Sequence, residues 1–159
     1  MRKANREIKD RDGLAAVIET CDACRIGLID RASDEVYIVP LNFGYDFADD
    51  GRLTLWFHCA REGRKLDIIG EGVKAGFEMD CNHVITAGET ACKFSMKYES
   101  IIGTGFIAPV ADTSARMHGL ERLMAHYGGA GLSFSEEALA LTTVLRLDVE
   151  TFTGKRLNK

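Results

Sequence analysis

The chain has 159 residues, a formal net charge of −4, 46% hydrophobic and 28% charged residues, and only two prolines. A chain of this length removes roughly 68–70% of its unfolded surface from water, so one domain over residues 1–159 is expected to fold without a metal or disulfide staple. The negative balance excludes a sequence-independent nucleic-acid binder, which needs a broad basic face, and no apolar run approaches the 18 or so residues of a membrane span.

Residues 1–6 are basic but lack an apolar stretch of signal-peptide length, so a cytoplasmic protein with reduced thiols is expected. Asp10 or Asp12 can cap a first helix whose apolar positions Leu14, Val17, Ile18 and Cys21 recur at i, i+3, i+4, i+7. Residues 24–30 and 35–43 then read as a hairpin around the polar turn 31–34. Pro40 cannot donate to a ladder, so the second strand should be an edge, a bulge or interrupted there. A turn at Asp49-Asp50-Gly51 leads to a strand over 52–58, and a short helix over 62–69 closes at Gly70 or Gly72.

Strands are expected at 73–79, 91–98 and 101–110, the first two separated by a polar loop containing His83. Asp112 or Thr113 caps a helix through Tyr127, with Met117, Leu120, Leu123 and Met124 on one face and glycines at its end. A helical turn over 136–141 and a last strand over 143–152 complete the chain. Seven or so short strands, with helices too few for parallel crossovers, predict an α+β, mainly β fold: an antiparallel sheet curled into a barrel with flanking helices.

Gly103-Thr104-Gly105-Phe106-Ile107-Ala108 matches the dinucleotide pattern G-x-G-x-x-A in letters alone. That pattern must open a helix, whereas these glycines sit inside a β-rich run and read as a bulge or bend. Five cysteines, an odd number, include Cys21 and Cys24 at the spacing of a redox or zinc motif. Their only partners, Cys81, His83 and Cys92, are irregularly spaced, and burial as small apolar side chains is the better reading. No metal ligand set is assigned. Serines and histidines occur without any nucleophile signature, so no hydrolase is indicated.

Gly63, Arg64 and Lys65 follow a strand and open a helix. Cations there oppose the macrodipole at a cost of some 0.3–1 kcal/mol each, so two together suggest an anion between them, best a phosphate. His58, at the end of the preceding strand, is a candidate ligand contact or proton relay.

Four blocks bear on whose phosphate that is: Tyr37-Ile-Val-Pro-Leu-Asn-Phe-Gly-Tyr45, Leu55-Trp-Phe-His-Cys-Ala-Arg-Glu-Gly-Arg-Lys-Leu-Asp67, Tyr98-Glu-Ser-Ile-Ile-Gly103 and Phe152-Thr-Gly-Lys155. In order and without large gaps, they resemble the pyridoxamine 5′-phosphate oxidase-related flavoproteins, in the branch similar to nitroimidazole-resistance reductases. The resemblance implies an FMN-binding split β-barrel that forms a homodimer with FMN at the subunit interface. It implies that Pro40, Leu41, Asn42 and Phe43 lie along the flavin ring through mostly backbone contacts. Phe57 and His58 would flank the ring and ribityl chain, and Gly63, Arg64 and Lys65 would hold the phosphate. Ser100, Ile101 and Lys155 would add contacts that can reach the partner's flavin. Cys59 stands where relatives commonly carry glycine or serine, and the C-terminal signature of true pyridoxamine-phosphate oxidases is absent.

The implied activity is transfer of reducing equivalents from NAD(P)H through FMN to a small electrophilic acceptor, with His58 as the candidate proton donor. A non-catalytic flavin or haem binding protein of the same fold is the alternative, and a zinc module built on Cys21, Cys24, Cys81 and Cys92 a third.

Overall fold

The computed structural model describes residues 4–158. Eight strands form one sheet: β1 (Glu7–Ile8), β2 (Cys24–Asp30), β3 (Glu35–Leu41), β4 (Phe43–Phe47), β5 (Leu53–Ala60), β6 (Val73–Thr86), β7 (Ser95–Pro109) and β8 (Thr142–Leu157). Four α-helices flank it: α1 (Arg11–Thr20), α2 (Arg64–Ile69), α3 (Thr113–His126) and α4 (Glu136–Ala140). All ladders are antiparallel, in the order β3-β2-β6-β7-β8-β5-β4, with β1 added to β8.

One feature of that order dictates the overall shape. The two ends of the path, β3 and β4, are consecutive in sequence and separated by Asn42 alone. Adjacent Cα atoms are about 3.8 Å apart, so the sheet must roll until its edges meet at this point. No ladder joins β3 to β4, and the barrel stays split. Pro40 lies on the edge strand β3, opposite Arg25, where its missing N–H costs no ladder bond.

The rolled sheet encloses a core of Ile26, Leu28, Phe43, Leu55, Phe57, Met79, Ile101, Ile107, Leu145 and Leu147, capped at one end by Val17 and Ile18 of α1. Asp10 caps α1 by accepting from Gly13 N–H, and Asp112 caps α3 by accepting from Ala115 N–H. A second apolar cluster, Trp56, Leu120 and Val144, packs α3 on the outer face of β5 and β8.

Several elements differ from the sequence expectation. The run expected as one strand over 35–43 ends at Leu41, and β4 restarts at Phe43 against β5. The loop expected around His83 is strand: β6 continues to Thr86 past a bulge between Cys81 and Val84, where Asn82 takes φ 56°. Residues 91–93 form a 3₁₀ turn, and the two strands expected at 91–98 and 101–110 are one continuous β7. The dinucleotide-like glycines fall at a register shift between Thr104 and Gly105, as a bulge should. Cys21, Cys24 and Cys81 are buried, whereas Cys59 is half-buried and Cys92 is exposed. Burial pushes the Cys21 and Cys24 thiols well above the usual range.

The end of α3 locks the joint between the edges. Tyr127 Oη accepts from Phe43 N–H at 3.1 Å and donates to the Asp22 carbonyl at 2.8 Å, while His126 Nε2 meets the Cys21 carbonyl at 2.8 Å. Replacing Tyr127 by Phe removes both tyrosine bonds. The expected cost is about 1 kcal/mol, read as a lower urea midpoint with an unchanged slope; an unchanged midpoint would mean that water replaces the phenol.

Candidate functional site

The split is where backbone is left over. The outer edge of β3 has no ladder partner among the described residues, and β5 runs three residues past the start of β4, because Phe43 faces Phe57. The edges of residues 58–60 and of β3 are therefore both free on the sides that diverge from Asn42. Free N–H and C=O groups along unpaired edges suit a flat heteroaromatic ligand that carries donors and acceptors along its rim.

Pro40 and Asn42 are exposed at the apex and Leu41 is half-buried. Phe43 and Phe57 are core residues, 0% and 1% exposed, so any ligand contact of theirs runs through backbone. His58 is exposed. Alternation along β5 puts it on the Trp56 side of the sheet, the face that carries α3, while Phe57 and Cys59 point inward.

At the far end of the split, Gly63 caps the six-residue helix α2 with φ 129°, and a side chain there would meet nothing within 4 Å. Lys65 makes no ion pair among the described residues. Burial raises the Cys59 thiol above its ordinary value, and the Lys65 ammonium partly offsets this.

Arg64 behaves differently from its neighbour. It reaches across the split to the β2–β3 hairpin: Nη2 lies 3.1 Å from Asp30 Oδ2 and 2.8 Å from Glu35 Oε2, and Nε is 3.3 Å from Asp30 Oδ2. Its guanidinium sits 5.1 Å from the Tyr37 ring centroid. Both carboxyls are held below their ordinary range, Asp30 first by the Ala32 N–H and then by Arg64, Glu35 first by Arg64. Of the two cations at the start of α2, one has its anions inside the fold.

Ser100, Ile101 and Lys155 form a separate group. Ser100 faces Asp80 on one side and Lys155 on the other, on β7, which β2 and β6 separate from β3. Ile101 is fully buried. Lys155 Nζ stands 5.5 Å from the Tyr98 ring centroid, and hydrogen bonding to Lys155 lowers the Tyr98 phenol. Within one chain these residues do not line the split.

Sequence reasoning missed Asp30, Glu35 and Tyr37. The signal was present, because a hairpin around 31–34 sets Asp30 opposite Glu35, and two carboxylates in facing positions call for a cation. The identity of that cation depends on tertiary structure.

An antiparallel barrel that fails to close between consecutive strands, with free backbone along the split and a cation at its end, defines a class of small-molecule-binding β-barrels. The model of the pyridoxamine 5′-phosphate oxidase family matches residues 10–156, and the chain belongs to that family. Among solved structures, it is similar to a candidate 5-nitroimidazole antibiotic resistance protein of Bacteroides thetaiotaomicron, at 29% identity and TM-score 0.79 over 94% of this chain and 86% of that one. It also shares its fold with an FAD and heme binding protein of Mycobacterium smegmatis (18%, TM-score 0.79, 97% and 74%). A flavocytochrome of Azotobacter vinelandii is a further fold match (14%, TM-score 0.76, 100% and 72%). No curated protein matches.

Proposed function

We propose that this chain is a flavoprotein that binds FMN in the split and passes reducing equivalents from NAD(P)H to a small electrophilic acceptor of the nitroaromatic kind. The observation that carries this reading is the split itself: two free backbone edges converging on Asn42, with Gly63 and the unpaired Lys65 at the open end. The name of the Bacteroides neighbour, a candidate 5-nitroimidazole antibiotic resistance protein, and the flavin-binding names of the others support it.

In this reading, the backbone of residues 40–43 and 58–60 lies along the ring and ribityl chain. Gly63, with no side chain in the way, lets the phosphate approach, while Lys65 and Arg64 neutralise it. FMN supplies the hydride and electron chemistry when bound; the chain supplies orientation, charge and exclusion of water. His58, on the outer side of β5, is the candidate proton donor only for a ligand that wraps over that edge.

The occupant of the remaining side of the site is a second copy of this chain. The outer sheet face exposes Ile29, Val36, Ile38, Ile102 and Phe106 at 44–72% around the small residues Gly27, Gly76 and Thr104, an apolar patch of the kind that marks an interface. Ser100 and Lys155 would then complete the partner's cofactor site. No helix among the described residues is long and apolar enough to cross a membrane, and we place the protein in the cytoplasm.

Purified protein should carry a flavin spectrum and run as a dimer, and anaerobic NADH or NADPH should bleach the flavin. A flavin that neither nucleotide bleaches would leave a carrier rather than a reductase. A Soret band would instead indicate haem, and colourless protein that takes up no added FMN would overturn the reading altogether.

A further inference from the structure

We propose that Asp30 and Glu35 are positioning residues that hold Arg64 as a strap across the split, and that this strap sets how long a phosphate-bearing cofactor stays bound. The proposal rests on the flavin reading above and assigns roles to residues outside the recognised blocks.

The hairpin creates the need for the cation. Asp30 and Glu35 are directly paired in the β2–β3 ladder, and like charges opposite one another destabilise a sheet. The turn between them keeps both in place: Ala32 N–H donates to Asp30 Oδ1 at 3.1 Å, Ser33 Oγ donates to Glu35 Oε2 at 3.3 Å, and Asp34 takes the left-handed φ of 57° that closes the turn. The Asp30 side chain is only 17% exposed, so its charge is poorly served by water and well served by a guanidinium. Arg64 enters from α2, the element that follows the opposite wall of the split, and the Tyr37 ring supports the flat face of its fork.

The fork is used selectively. Nε and Nη2 are committed to the two carboxylates, while Nη1 has no hydrogen-bond partner among the described residues. A planar guanidinium fixed through two of its nitrogens presents the third in a fixed direction. The carboxylates thus orient Arg64 and leave one donor edge for an incoming phosphate, next to Gly63 and Lys65 on the same turn. A phosphate held by a pre-oriented Arg64 leaves only after that charge-assisted bond breaks, so loss of the orientation should appear chiefly in the dissociation rate.

The test uses Asp30→Asn/Glu35→Gln, with Glu35→Gln alone as a milder variant at a position that is 64% exposed. FMN release is followed in full-length protein by the return of free-flavin fluorescence, alongside backbone hydrogen exchange of α2 and β3 in flavin-free protein. The double variant is expected to release FMN about tenfold faster with little change in association. Arg64→Ala should release FMN at least as fast, and adding the two carboxylate changes to Arg64→Ala should change nothing further, because the carboxylates act only through Arg64. In flavin-free protein, exchange in α2 should accelerate in each variant. An unchanged release rate overturns the proposal. Slower release does too, showing that the carboxylates compete with the phosphate for Arg64. If the wild type binds no FMN, the flavin reading fails, and the exchange experiment still decides the strap: unchanged α2 protection rejects it.

Discussion

Gly44→Ala should be the most damaging single-methyl change in this protein, costing about 3 kcal/mol and lowering the melting temperature by roughly 6–12 °C for a chain of this size. A Cβ at this position would lie 2.3 Å from Leu123 N, 2.4 Å from Arg122 C and 2.6 Å from Leu123 Cα. These are backbone atoms of α3, so no side chain can rotate away and the helix itself must lift from β4. Lifting it disturbs everything α3 holds: Arg122 Nε on the Tyr45 carbonyl at 3.0 Å, and the Asp46 carboxylate that receives Trp56 Nε1 and His118 Nε2, each at 2.7 Å. The Tyr127 bond to Phe43 lies at the end of the same helix. Gly63→Ala provides the contrast, since its Cβ meets nothing and only the φ of 129° resists. With ψ at 161° this is a region essentially confined to glycine, and that strain should cost about 1–3 kcal/mol. A calorimetric scan in which the two alanine variants melt together would refute the close-approach argument.

What the sequence discloses about this fold follows from where local signals and tertiary partners agree. The caps at Asp10 and Asp112 satisfy helix N–H groups within three residues, and local pattern is sufficient to find them. Pro40 announces an edge because any interior strand would lose a bond there. The extension of β6 through Asn82 and His83 is not legible, since those polar residues read as loop. They stay in the strand because β7 supplies the ladder on the other side of the bulge. Likewise, the fusion of two expected strands into β7 depends on partners at both edges, β6 and β8. The break at Asn42 is only partly legible. Pro40 flags an edge or interruption, but the turn falls two residues later, and only the closure of the barrel explains why one residue must turn the chain from one sheet edge to the other.

The site shows the same division. Spacing and charge identify Gly63, Arg64 and Lys65 as an anion-binding turn, on the premise that two cations at a helix start need an external anion. In the fold, Arg64 finds Asp30 and Glu35, which leaves Lys65 as the cation without a counter-ion among the described residues. Asn42 and Phe43 lie beside Phe57 where the split begins, and His58 follows on β5 with its side chain on the outer face, while Ser100 and Lys155 lie elsewhere on the sheet.

The combined change Arg64→Ala/Lys65→Ala should abolish stoichiometric FMN binding while leaving a folded dimer. Hydrogen bonds to charged groups contribute about 1.5–3 kcal/mol each, so losing both cations predicts a rise in the FMN dissociation constant of roughly 10²- to 10⁴-fold, at 1.4 kcal/mol per tenfold. The two residues should not contribute alike. Lys65 has no ion-pair partner among the described residues and offers its charge to the phosphate, so Lys65→Ala alone should weaken binding in both rate constants. Arg64 offers one donor edge from a guanidinium already neutralised by two carboxylates, so Arg64→Ala should act chiefly on release. The fold should survive because Lys65 makes no ion pair among the described residues, the Arg64–Glu35 pair is exposed at 48% and 64% and contributes little stability, and Asp30, 17% exposed, keeps the Ala32 N–H when Arg64 is removed. Titration with FMN followed by flavin fluorescence measures the affinity, and size-exclusion chromatography measures the dimer. Retained stoichiometric flavin in the double variant would place the phosphate elsewhere than at the start of α2, and a Lys65→Ala variant that binds as tightly as Arg64→Ala would contradict the division of labour between them.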